Sequence, residues 1–247
     1  MPLLAAGQTD VGQLRLTNQD AIYLNVDKRI FIVADGMGGH NGGDIASNMA
    51  VEEISKYLLN NESEDPLKSI IRSIRSANSA IYSKSKENIR LKGMGTTVLT
   101  FYFRGPTLYI ANVGDSRGYL INKKKIYQLS KDHSLVQEKI NLGIYSRQEA
   151  LLDPQKNILI RAVGFENKTK IDVFTYKVIK HDMFILCSDG LYNKVNDQDI
   201  THIINTCLPD PGRATQDQLD QATKSLIGLS NMNGGQDNIS VIIVVAK

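Results

Sequence analysis

Six short segments scattered between Asn18 and Asn238 each set an aspartate beside glycine, asparagine, histidine or serine, and a fold for this chain must account for that dispersal. They read Asn18-Gln19-Asp20, Asp35-Gly36-Met37-Gly38-Gly39-His40, Gly114-Asp115-Ser116-Arg117, Asp132-His133-Ser134, Cys187-Ser188-Asp189-Gly190 and Gly235-Gln236-Asp237-Asn238. The apolar runs Ile30-Phe31-Ile32-Val33-Ala34 and Met183-Phe184-Ile185-Leu186 read as buried strands, which leaves Asp35 and Asp189 at or near their mouths. A carboxylate so placed suits a hard divalent cation, because Mg²⁺ and Mn²⁺ prefer oxygen ligands and keep several waters. Taken singly, each Asp-Gly pair is a turn signal and nothing more.

The elements around these segments predict an α+β chain. β-formers mark strands over 21–26, 30–34, 96–103, 107–112, 118–121, 126–129, 171–176, 183–187 and 238–245, with connections short enough for antiparallel hairpins. Helical spacing links Ile45, Met49, Ile54 and Leu58, then Leu67, Ile70, Ile74, Ala77 and Ile81, with Asp65-Pro66 starting the second helix. Thr215 and Gln218 form a capping-box pattern ahead of Leu219, Ala222 and Leu226, and a shorter helix is expected over 197–207. Between Asp132 and Gly164 the pattern turns polar and partly helical, which suits a surface lobe beside a site.

Several classes are disfavoured. Net charge +3, from 29 basic and 26 acidic residues, is too balanced for a nucleic-acid partner, and Lys123-Lys124-Lys125 reads as a solvated hairpin turn. No stretch approaches the ~18 apolar residues of a membrane span, and the first ten residues lack a basic signal-peptide region, so a cytoplasmic protein without a membrane partner is expected. Cys187 and Cys207 have no metal-ligand spacing. The 247 residues, 42% of them hydrophobic, suffice for one large domain spanning 1–247.

The motifs together carry a resemblance. Arg15-x-x-Asn18-Gln19-Asp20, Val33-Ala34-Asp35-Gly36-Met37-Gly38-Gly39-His40, Gly93-Met94-Gly95-Thr96-Thr97, Asn112-Val113-Gly114-Asp115-Ser116-Arg117, Asp132-His133-Ser134, Ser188-Asp189-Gly190-Leu191 and Gly234-Gly235-Gln236-Asp237-Asn238-Ile239-Ser240 follow in one order. That order resembles the metal-dependent protein phosphatases, the type 2C serine/threonine phosphatase family, in its bacterial branch. The resemblance implies a central sandwich of two antiparallel β-sheets, flanked by helices on both outer faces, with a flap insertion placed at 139–158. It also implies hydrolysis of phosphoserine and phosphothreonine in proteins by a binuclear Mg²⁺ or Mn²⁺ centre.

By the same resemblance Asp35 bridges two ions, Gly36 lends its carbonyl, Asp189 and Asp237 complete the set, and Asp115 holds a third ion. Asp115 followed by serine can equally satisfy a turn. Asp20 is expected around the waters of the ions, with Asp132 and Asn238 as further positioning candidates. Arg15 is the natural phosphate clamp, since a guanidinium meets two phosphate oxygens with matched geometry. His40 is the candidate proton donor to the leaving alkoxide, Met37 standing where eukaryotic relatives carry a histidine. Asp44 replaces the glutamate usual in the bacterial pattern. His133 reads either as a cap or as a core histidine, while His181 and His202 fall outside every motif. Ile144, Tyr145 and Ser146 in the flap are expected to set substrate choice. The partners implied are phosphorylated protein substrates and a cognate serine/threonine kinase, with the chain a monomer. The alternative is a catalytically weak or inactive relative that binds phosphoproteins as a regulator.

Overall fold

A period of two along the apolar runs sorts their side chains between an inner and an outer core. In the computed structural model, which describes residues 1–38 and 42–247, the chain opens with β1 (Leu3–Asp10), β2 (Asp20–Asn25), β3 (Ile30–Met37), α1 (Gly43–Asn60) and α2 (Pro66–Glu87). It continues with β4 (Gly95–Thr96), β5 (Val98–Arg104), β6 (Thr107–Val113), β7 (Arg117–Asn122), β8 (Lys125–Gln128), α3 (Leu135–Asn141) and α4 (Arg147–Leu152). The last part holds β9 (Asp172–Lys177), β10 (Met183–Cys187), α5 (Asp189–Tyr192), α6 (Asp197–Cys207), α7 (Gln216–Met232) and β11 (Ile239–Ala246).

Two antiparallel sheets result, ordered β1-β11-β10-β7-β8 and β2-β3-β5-β6-β9, with β4 beside β3. Phe31 and Val33 of β3, Phe184 and Leu186 of β10, and Ile242 and Val244 of β11 face the space between the sheets. Their alternates point outward: Ile30, Ile32 and Ala34 pack under α1 and α2, while Ile185, Val241 and Ile243 pack under α6 and α7. A strand covered on both faces is therefore apolar throughout, as β11 is. Phe184 anchors the inner core, meeting Phe101, Phe103 and Tyr176 edge-on at 5.5 to 6.2 Å between ring centres.

The expected helix starts are present: Asp65 caps α2, and Thr215 and Gln218 close a reciprocal box at α7. Lys123 and Lys124, both at positive φ, make the two-residue turn between β7 and β8.

Three features depart from the sequence reading. β1 was not foreseen, since Leu-Leu-Ala-Ala-Gly-Gln is weak in β-formers; its pairing with β11 along eight register positions decides it. The expected strand 96–103 breaks at Thr97 into β4 and β5, for reasons that belong to the site. Asp189, expected at the mouth of a strand with Gly190 as a turn signal, opens a short helix. The polar lobe holding α3 and α4 is pinched at its base by the Ser134–Leu159 bridge and rejoins the sandwich at Thr96–Val163, and the expected flap at 139–158 lies inside it. No helix among the described residues is long and apolar enough to cross a membrane.

Candidate metal centre and substrate cleft

Asp20 and Asp35 face each other across the β2–β3 ladder, so two carboxylates begin the site as nearest neighbours. The backbone of Asp35 is fixed by both threonines of the break between β4 and β5. Its N–H donates to Thr97 Oγ1 (2.9 Å), and its carbonyl accepts from Thr96 Oγ1 (2.9 Å) and from the Thr97 N–H (2.8 Å). Thr97 Oγ1 in turn shares a hydrogen bond with Ser116 Oγ (2.7 Å), beside Asp115. The strand is interrupted at Thr97 because its hydroxyl, in place of its carbonyl, takes the Asp35 N–H, while the register of β5 carries on into β4. Gly36 is packed so closely that a Cβ would lie 2.0 Å from the Gly43 carbonyl oxygen at the start of α1.

The second sheet brings Asp189 and Asp237. Asp189 follows β10, and Asp237 precedes β11, the strand paired with β10. Gly190 permits that juxtaposition, since a Cβ there would meet the Asn238 carbonyl oxygen at 2.0 Å. Ser188 leaves the N-terminus of α5 without a side-chain cap because its hydroxyl donates to Asp20 Oδ2 (2.7 Å). Ser240 Oγ donates to the same oxygen at 2.7 Å. Asp20 is buried, accepts both serine hydroxyls from the opposite sheet and lies outside the cleft lining, while Asp35, Gly36, Asp115, Asp189 and Asp237 line the cleft.

Arg15 rides on the loop between β1 and β2, where Nη2 donates to Asp237 Oδ2 at 2.8 Å. Asn238 holds that loop: Oδ1 accepts the Gln19 N–H (2.8 Å), and Nδ2 donates to the carbonyls of Val11 (2.9 Å) and Thr17 (3.0 Å). All three polar functions of the amide are thereby engaged with the loop backbone.

Asp132 forks onto Arg117, through Nε to both oxygens and through Nη2 at 2.7 Å, and Arg117 stacks on the Tyr192 ring. His133 is a buried core histidine. Its Nδ1 accepts the Gly114 N–H (3.1 Å), which leaves the proton on Nε2, 3.2 Å from Asp172 Oδ2. Burial pushes this imidazole below its usual range, with Arg161 nearby, against the opposing pull of Asp172.

Electrostatics test whether these oxygens suit a cation. Burial, then the charges of Asp20, Asp189, Asp115 and Asp237, push the Asp35 carboxyl well above the usual range. Burial lifts Asp20 to about 7 despite its two serine donors. Asp115 rises to about 8 through burial and the charges of Asp189 and Asp132, and Asp189 to about 6 through burial and Asp237. The carboxylates of this cluster outnumber the guanidiniums of Arg15 and Arg117 beside them, and divalent cations would supply the missing positive charge. Among the described residues no three His, Cys, Asp or Glu side chains form a ready-made cage. A zinc-type cage is therefore absent from those residues, whereas Mg²⁺ and Mn²⁺ sites keep several waters and use one or two carboxylates each. The oxygen-only donor set fits such ions.

Of the other sequence candidates, His40 lies outside the described residues. Asp44 stands in the first turn of α1, and its buried Oδ1 has no hydrogen-bond partner among the described residues. Ile144 is exposed, Tyr145 lies against Lys139, and Ser146 caps α4; none of the three is among the residues lining the cleft. Sequence reasoning assigned no role to Thr97, Ser188 or Ser240, although each stood inside a motif, and it passed over Leu16, Phe165, Lys168 and Lys170 on the cleft wall. No local pattern marks those four.

Clustered carboxylates beside one guanidinium, at the end of a helix-flanked double sheet, define a cation-dependent phosphohydrolase site. The sequence profile described as protein phosphatase 2C matches residues 13–223, and the chain belongs to that family. It is 38% identical to the serine/threonine phosphatase stp of Listeria innocua, over 96% of this chain and 93% of that protein. It is 33% identical to the protein phosphatase PhpP of Streptococcus pneumoniae, over 96% and 94%. The crystal structure of the Mycobacterium tuberculosis serine/threonine phosphatase PstP/Ppp superposes with a TM-score of 0.90 at 29% identity, covering 100% of both chains. A second structure, the catalytic domain of PstP in complex with two manganese ions, gives 0.86 at 30% identity, covering 98% of this chain and 97% of that one.

Proposed function

We propose that this chain hydrolyses phosphoserine and phosphothreonine in proteins, with Mn²⁺ or Mg²⁺ as cofactor. The observation that carries the reading is the convergence of Asp35, Asp189, Asp237 and Arg15 on one cleft from distant parts of the chain. Asp35, the Gly36 carbonyl, Asp189 and Asp237 would hold two ions, and Asp115 a third. When bound, these ions neutralise the substrate dianion and supply a nucleophilic water near neutral pH.

The chain's own residues do the rest. Arg15 offers a planar fork to two phosphate oxygens, and Asn238 keeps its loop over the aspartates. Asp20, held by Ser188 and Ser240, orients the polar groups behind Asp35. His40 is the side chain assigned to protonate the leaving alkoxide. An inactive phosphoprotein-binding relative would have no need to keep Asp35, Asp189 and Asp237 together in one cleft, which favours the enzyme. Our reading has the reaction in the cytoplasm, on proteins phosphorylated by a cognate serine/threonine kinase.

Turnover of an aryl phosphate and of phosphothreonine peptides should require Mn²⁺ or Mg²⁺ and disappear in excess chelator. Full activity in chelator refutes the two-ion reading.

A further inference from the structure

The cleft measures about 1230 Å³, more than the roughly 300–1,000 Å³ of sites that enclose a drug-sized ligand. A phosphoryl group and its clamp occupy only the floor, so the mouth is available to the protein chain that bears the phosphate. Its apolar composition is unusual. Leu16 is 99% exposed, Leu14 68%, Phe165 58% and Ile160 44%, and all four line this one cleft. Single exposed apolar side chains need no explanation, but four gathered on one concavity mark a surface that is covered in use.

The same wall carries Lys168 and Lys170, both exposed. Neither ammonium has an ion-pair or hydrogen-bond partner among the described residues, whereas Arg15 and Arg161 are engaged by Asp237 and Asp172. Glu166 is the acidic residue beside them on that wall. Two uncommitted cations next to an apolar patch complement a carboxylate next to an apolar side chain.

Resting on the phosphatase reading above, we propose that Leu14, Leu16, Ile160, Phe165, Lys168 and Lys170 select phosphoprotein segments bearing a large apolar residue and an acidic residue close to the phosphorylated one. Continuity with the catalytic floor identifies the occupant as the substrate chain, and the lysines set its charge. Specificity then resides on the cleft wall at 160–170 and on the Arg15 loop.

Three phosphothreonine peptides of equal length test this: one with leucine and glutamate flanks, one with leucine and lysine, one with serine and glutamate. An aryl phosphate is the fourth substrate. The full-length protein with Mn²⁺ should give the highest kcat/KM on the first peptide. Lys168→Ala/Lys170→Ala should lower kcat/KM about fivefold on the glutamate peptides, with no loss on the lysine peptide. Leu16→Ser/Phe165→Ser should lower it about tenfold on the leucine peptides and leave the serine peptide unchanged. Both double variants should turn over the aryl phosphate at the parent rate. Aryl phosphate turnover with a flat peptide panel, or equal losses on all peptides, overturns this specificity alone. No turnover of any substrate overturns the phosphatase reading and this proposal with it.

Discussion

Asn238 lies next to a predicted cation ligand, and its side-chain amide is bonded to the loop that carries Arg15. It is buried, at 5% exposure, and makes three hydrogen bonds to backbone groups of Val11, Thr17 and Gln19. Replacing it with alanine removes all three at once. At about 1 kcal/mol each the loss is about 3 kcal/mol, a large share of the roughly 5–15 kcal/mol that stabilises a typical domain. With a slope of about 3 kcal/mol per molar urea, the unfolding midpoint should fall by roughly 1 M. Asn238→Asp should do no better, since a carboxylate can accept the Gln19 N–H but sets its second oxygen against the Val11 and Thr17 carbonyls. Both variants should also raise KM for an aryl phosphate, because the loop that presents Arg15 loses its tether. Urea titration followed by circular dichroism, with steady-state kinetics on the same samples, measures both effects. A midpoint within about 0.2 M of the parent, together with an unchanged KM, would refute the claim that this amide organises the loop.

Other outcomes follow from the same geometry. Asp20, Asp189 and Asp115 are pushed up to about 7, 6 and 8, so the folded, cation-free chain holds more protons than the unfolded one between about pH 4 and 8. Their contribution to stability is therefore fully present below about pH 4 and falls as pH rises to about 8; melting in chelator should show the decline, and Mn²⁺ should flatten it. Arg15→Ala removes an ion pair whose side chains are 52% and 38% exposed, so it should change stability by less than about 1 kcal/mol while raising KM. Calorimetric Mn²⁺ binding should survive that change; its collapse would make Arg15 structural. Gly190→Ala should cost about 1–3 kcal/mol and most of the activity, since its Cβ meets the Asn238 carbonyl at 2.0 Å. Gly228→Ala, inside α7 with nothing within 4 Å, should instead stabilise by about 0.5–1 kcal/mol, and a loss there would contradict the assigned packing.

Sequence alone determined the elements whose cause is local. Apolar runs bounded by turn residues marked β3, β10 and β11, and cap chemistry marked the starts of α2 and α7. It also marked the aspartates, because seven motifs in one order carry information that a single Asp-Gly pair does not. Tertiary structure decided what depends on distant partners. β1 is a strand because β11 lies alongside it, and the ladder is interrupted at Thr97 because its hydroxyl takes the Asp35 N–H in place of its carbonyl. Asn238 and Asp132 looked alike as positioning candidates, yet one staples a loop of β1–β2 and the other forks onto Arg117. The flap residues Ile144, Tyr145 and Ser146 stand in sequence close to the cleft wall at 157–162 but fall outside the lining, while Leu16 reaches it from the far end of the chain. Hydrophobic period and capping act over a few residues and are written into the sequence directly. Which carboxylate faces which, and how far each is withdrawn from water, depends on residues hundreds of positions apart, and only the packed sheets bring them together.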